Sequence, residues 1–191
     1  MKRRQLIKFL QEKVYINESD TEKIFSVFRN LTIKKNTTLL KQGDICKEVY
    51  FITKGAIRAY IYTDNDREYT RIISIENHFI GNLSSFKDFK ISDENIETLE
   101  DTECLVLNRD LICGLIEDNM KIKDLYINII EDFNTLSIDK LNNILVLNDK
   151  EKVNYFFKNY KEFVQRFPDR INASFLNITR ENYNRYKKEI I

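Results

Sequence analysis

The stretch PDRINASFLNITRENYNRYKK, Pro168 to Lys188, decides how the rest of the chain is read. Proline suits a helix start, and the only proline of the chain stands just ahead of Asp169. A first helix is predicted over Asp169–Leu176, with Ile171, Ala173, Phe175 and Leu176 as its small and apolar contacts. Asn177-Ile178 interrupts it, because asparagine tolerates the left-handed backbone that ends a helix. Thr179 is placed to cap a second helix. That helix carries Arg180, Asn184, Arg185, Lys187 and Lys188 on a polar face, and Tyr183, Tyr186 and Ile190 on an apolar one. This is a helix-turn-helix layout, in which a second helix reads the DNA major groove. An ordinary helical hairpin with a solvated basic face fits the same pattern.

Charge agrees with a reading head at this end. Residues 149–191 hold ten Lys and Arg against six Asp and Glu, whereas the rest of the chain holds 21 against 24. A slightly acidic body with a basic C-terminal part suits a phosphate-bearing partner at that end only. At 191 residues the chain can bury a real core as one large domain or two small ones. Cys46, Cys104 and Cys113 form no CxxC pair, so a structural zinc or iron–sulfur centre lacks its ligands and free thiols in a reducing compartment are expected. The N-terminal MKRRQLIKFLQEKV lacks the apolar run of a signal peptide, and no stretch has the length of a membrane span. A cytoplasmic protein with no membrane partner is expected.

Upstream, Leu6, Phe9, Leu10 and Val14 form one helical stripe; Ile24, Phe25, Val27 and Phe28 form a second, with Ser19 or Asp20 as cap. Between Leu31 and Leu107 the pattern changes to short strands broken by turns. Gln42-Gly43-Asp44 and Lys54-Gly55 are turns, Asp64-Asn65-Asp66 is a hairpin tip, and Glu94–Leu99 with Cys104–Leu107 is a final pair. Regular short strands of this kind suggest an antiparallel barrel or jelly roll. Asn108 or Asp110 can cap a short helix through Ile116. A long helix follows from about Lys121, with apolar residues on both faces: Ile122, Leu125, Ile129, Phe133, Leu136, Leu141, Ile144 and Leu145. Packing on the chain's own strands and a dimer seam both fit, the seam better. Asn148-Asp149 starts a helix over Lys150–Val164, which puts a boundary near residues 147–149.

LLKQGD (Leu39–Asp44), VYFITKGAIRAY (Val49–Tyr60), ETLEDTECLVL (Glu97–Leu107), NDKEKVNYFFKNY (Asn148–Tyr160) and INASFLNITRENYNRYKK (Ile171–Lys188) follow in the order of a known family. Together they resemble the Crp/Fnr family of bacterial transcription regulators, over nearly the whole chain. The resemblance implies an α+β fold: a cyclic-nucleotide-binding-like antiparallel β-roll over 1–120, a dimerisation helix over 121–147 and a helix-turn-helix domain over 148–191. It also implies a homodimer through the long helix, double-stranded DNA as ligand, and RNA polymerase as a further partner. Arg180, Glu181 and Arg185 match the family's base-reading positions, where arginine suits guanine and glutamate accepts from cytosine. Thr179 and Asn184 match phosphate or base-edge contacts; Arg170, Lys187 and Lys188 match phosphate anchors or solvated charges.

Two departures qualify the resemblance. Cyclic-nucleotide-binding members carry Gly-Glu-Leu, then an Arg-Ser or Arg-Thr pair about ten residues on, the glutamate for ribose and the arginine for phosphate. Here the segment reads Gly81-Asn82-Leu83-Ser84-Ser85, with Ser92-Asp93 where that pair should stand. Cyclic nucleotide is therefore not the expected ligand, and no cofactor or metal is expected. The region Gly81, Asn82, Leu83, Ser84, Ser85, Ser92 and Asp93 is the candidate effector pocket for an unidentified small molecule, or is filled by its own side chains. His78, the only histidine, reads as polar surface. The second departure is at the C-terminus, where many members continue into a β-hairpin wing and this sequence ends at Ile191; a head without a full wing is expected to bind DNA more weakly. The competing function is a ligand-binding or protein-interaction module of the same fold whose DNA binding has degenerated. No nucleophile elbow, metal signature or phosphate loop supports an enzyme.

Overall fold

The computed structural model describes residues 2–63 and 67–190, so the expected hairpin tip at Asp64-Asn65-Asp66 lies outside the described residues. The chain divides into two compact units: Met1–Ala59 with Ile73–Phe133, and Tyr60–Ile72 with Asn134–Ile191.

The first unit opens with α1 (Lys2–Gln11) and α2 (Glu18–Ser26). Asn17, rather than Ser19 or Asp20, caps α2, its side chain accepting the Asp20 amide at 2.8 Å. Eight strands follow: β1 (Phe28–Ile33), β2 (Thr38–Leu40), β3 (Glu48–Lys54), β4 (Ile57–Tyr62), β5 (Glu68–Ser74), β6 (Phe79–Ile80), β7 (Asn95–Thr98) and β8 (Thr102–Asn108). They form two sheets, β1-β8-β3-β6 and β2-β7-β4-β5, with α3 (Leu83–Asp88) between β6 and β7. β3 reads Val-Tyr-Phe-Ile-Thr without alternation, and all five residues are buried. Such a run fits a strand covered on both faces. Phe9 of α1 supplies one cover, 5.4 Å from Phe51 and 5.6 Å from Phe79 between ring centres.

The expected pairing of Glu94–Leu99 with Cys104–Leu107 is corrected. β7 pairs with β2, and β8 with β1 and β3, so the intervening turn carries the chain from one sheet to the other. Turn residues alone do not distinguish a hairpin from such a corner. The contact that makes this one is Gly55, whose φ of +94° is left-handed. A β-carbon there would stand 2.7 Å from the Asp101 carbonyl oxygen, so the two corners approach only because the residue is glycine.

After β8, Asn108 caps α4 (Arg109–Asp118), and α5 (Met120–Val146) follows as a helix of 27 residues. Ile122 and Leu125 are buried on one side of α5. Ile127, Ile138, Leu141 and Leu145 are exposed, spaced at eleven, three and four residues as one helical stripe requires.

In the second unit a capping box between Asn148 and Glu151 starts α6 (Asp149–Asn159). The single helix expected over Lys150–Val164 breaks at Tyr160, and α7 (Lys161–Arg166) begins anew. No glycine or proline signals the break. Tyr160 leaves helical geometry, its ring stacking on Phe156 at 5.5 Å and packing 5.8 Å from Phe175. α8 (Asp169–Leu176) and α9 (Arg180–Ile190) complete the unit around Phe156, Phe163, Phe175 and the fully buried Tyr183.

Candidate functional site

The helix pair α8 and α9 is joined as the sequence predicts. Asn177 takes φ 55° and ψ 44°, and its amide bonds back to the last turn of α8. Ile178 is buried, and the Thr179 hydroxyl accepts the Asn182 amide at 3.2 Å, capping α9. Asn182 also donates to Asp149 at 2.8 Å, a tie between α9 and α6 that spacing could not reveal. With Tyr183 in the core, positions 181, 185 and 188 fall on the far side of α9 with 184 beside them, while position 180 opens the helix one turn before Tyr183. Arg180, Glu181, Arg185 and Lys188 are exposed, and Asn184 is half-buried with a side-chain oxygen that makes no hydrogen bond. These residues present two guanidiniums, a carboxylate and an amide, groups that match base edges and phosphates.

Other candidates are held by the chain itself. Arg185 leans on Tyr186, donating to its hydroxyl at 2.6 Å. Lys187 pairs with Asp169 at 2.8 Å, and Arg170 donates to both Glu68 oxygens at 2.8 Å. The positive charges of Lys187 and Arg170 are locally offset by these carboxylates.

In the roll, the candidate effector loop is closed by its own hydrogen bonds. Asn82 caps α3, its oxygen accepting from the Ser85 amide at 3.0 Å and the Ser84 hydroxyl at 2.9 Å. Its nitrogen donates to the Ser92 hydroxyl at 3.1 Å and to Asp93 at 3.2 Å. Ser92 in turn donates to the Glu94 carbonyl, and Ser85 donates to the Lys90 carbonyl while accepting the Cys46 amide. Asn82, Ser85 and Ser92 are all buried. Gly81 has no room for a side chain, since a β-carbon would lie 2.8 Å from Val49. Leu83 leaves this network and lines an apolar cavity of about 50 Å³ with Val49, Phe86, Leu107, Ile129 and Phe133.

One feature of the roll escaped sequence reasoning. Arg58 on β4 is 1% exposed, its Nε 2.8 Å from a Glu97 oxygen on β7. A guanidinium of the kind that grips phosphate thus faces a carboxylate of the chain 39 residues away. No local signal links the two. Burial pushes the Cys46 thiol up, and raises Cys104 to about 11, so both disfavour the reactive thiolate. Among the described residues no three His, Cys, Asp or Glu side chains gather as a metal site, and His78 is exposed. No helix among them is long and apolar enough to cross a membrane.

Residues 30–119 match the cyclic nucleotide-binding domain family. No curated protein is detectably similar in sequence. Among solved structures, the chain is similar to a regulator from Eubacterium rectale assigned to the Crp/Fnr family, at 16% identity, a TM-score of 0.72, and coverage of 91% of this chain and 83% of that one. The c-di-GMP-responsive global regulator CLP of Xanthomonas campestris matches at 14% identity and a TM-score of 0.74, with 91% of each chain covered. FixK2 of Bradyrhizobium japonicum matches at 13% identity and a TM-score of 0.72, over 86% and 84% of the two chains. The chain therefore has the fold of Crp/Fnr transcription regulators: antiparallel sheets of a cyclic-nucleotide-binding roll followed by helices.

Proposed function

We propose that this chain is a Crp/Fnr-type transcription regulator that binds double-stranded DNA as a homodimer and does not respond to cyclic nucleotides. The observation that carries the reading is the set of exposed or half-buried polar side chains Arg180, Glu181, Asn184, Arg185 and Lys188 on α9, a helix anchored in the core by Tyr183. In this role α9 lies in the major groove, Arg180, Glu181 and Arg185 meet base edges, and Lys188 meets phosphate. The exposed apolar residues Ile127, Ile138, Leu141 and Leu145 of α5 suit pairing with the same helix of a second copy. The closed network of Asn82, Ser85 and Ser92, whose polar atoms bond within the chain, speaks against a cyclic phosphate as ligand.

Fluorescence anisotropy with the duplex upstream of the chain's own gene, at two salt concentrations, tests the reading. Tight, salt-dependent, competitor-resistant binding is expected. An Arg180→Ala, Arg185→Ala variant should stay folded and lose about 100-fold or more in affinity, at roughly 1–3 kcal/mol per base-reading contact. Unchanged affinity in that variant would sink the assignment. Titration calorimetry with cAMP and cGMP should show no micromolar binding.

A further inference from the structure

The strand β5 ends the order β2-β7-β4-β5, so among the described residues one of its sides has no strand partner. Side chains of the helical unit bond that strand instead. The Ser174 hydroxyl on α8 accepts the Thr70 amide at 2.9 Å and donates to the Glu68 carbonyl at 3.0 Å, much as a neighbouring strand would. Lys140 on α5 donates to the Thr70 and Arg71 carbonyls at 2.6 and 2.7 Å, with its ammonium 3.9 Å from the centre of the Phe175 ring. Glu68 then reaches the first turn of α8, where Arg170 donates to both its oxygens. The Tyr62 hydroxyl steadies the same carboxylate at 3.0 Å.

From this geometry we infer that the neighbouring strands β4 and β5 form an autoinhibitory clasp on the reading head, with Glu68 holding Arg170 in place of a DNA phosphate. The inference rests on the DNA-binding reading above. In a helix-turn-helix the first helix crosses the phosphate backbone, and Arg170 stands in the first turn of that helix. Glu68 there masks one cation and adds an anion that repels phosphate. The Arg170 side chain is 58% exposed and that of Glu68 only 16%. The arginine is thus free to swing while the carboxylate stays with Tyr62. An ion pair with one exposed partner is weak enough to exchange for phosphate. β4 and β5 both pass from the roll unit into the helical one, so the clasp is covalently continuous with the sensor strands.

The test compares the full chain with its Glu68→Gln variant by anisotropy against the same duplex across a salt series. The variant should bind about fivefold or more tightly at low salt, with a salt slope steeper by about one, as one added phosphate contact requires. Arg170→Ala in the Glu68→Gln background should return the slope to that of the unaltered chain. Ser174→Ala, which removes the tie while leaving both charges, should raise affinity in the same direction and serves if Glu68→Gln does not fold. Equal affinity and slope in the unaltered chain and both variants would overturn the clasp and leave the DNA reading standing. No binding by any of them would overturn the DNA reading, and the clasp with it.

Discussion

Within Gly81 to Asp93 the side chains of Asn82, Ser85 and Ser92 are buried and spent on bonds inside the chain, whereas along the outer arc of α9 most polar side chains meet solvent. Both regions hold asparagines and charged residues in short spans, and a sequence scan marks both as binding sites. In the loop, Asn82 spends its amide on Ser84, Ser85, Ser92 and Asp93. On α9, Arg180 and Glu181 are exposed. A polar group already satisfied and buried must lose those bonds before it can take a ligand, and a solvated one gives up only water. The difference lies in hydrogen-bond accounting rather than in residue type.

The comparison breaks most readily at Arg58. Arg58→Ala leaves Glu97 without its buried guanidinium and should cost about 3 kcal/mol in urea denaturation, while Arg180→Ala on α9 should cost within about 0.5 kcal/mol. Similar losses in the two variants would mean that burial does not separate polar groups of the roll from those of α9. Next in size is Asn82→Ala, which removes the α3 cap and the bridge to Ser92; a loss of about 1–2 kcal/mol is expected, read as a lower urea midpoint. Of similar size is a pH dependence in the helical unit. Burial, and secondly the charge of Arg71, lowers Lys140 to about 7 from an ordinary 10.5. Between those values the unfolded chain holds a proton that the folded chain has shed, so stability rises with pH across that window. Denaturation at pH 7, 8 and 9 should show the rise, and Lys140→Met should flatten it.

Legibility followed the range of the interactions. Asn177 as the left-handed turn and Thr179 as cap were readable because each acts within four residues of its partners. Of the apolar face expected from Tyr183, Tyr186 and Ile190, by contrast, only Tyr183 is buried, against Phe156, Phe157 and Asn172. The same local rules misplaced the α2 cap by two or three residues and ran one helix through Tyr160, where an aromatic cluster from α6, α7 and α8 overrides propensity. The strand segments were legible from their turns, but the sheet each joins was not, because that depends on corners such as Gly55 against Asp101.

By itself, then, the sequence determined the order of parts, the helix-turn-helix layout of α8 and α9 and the lack of an arginine within Gly81–Asp93, all encoded by residues near one another in the chain. Only the tertiary structure decided which of the basic residues remain unclaimed by a carboxylate. Arg58 meets Glu97 across 39 residues and Arg170 meets Glu68 across 102. Neither pair leaves a periodic or spacing signal, since an ion pair depends on distance in space and is indifferent to separation along the chain.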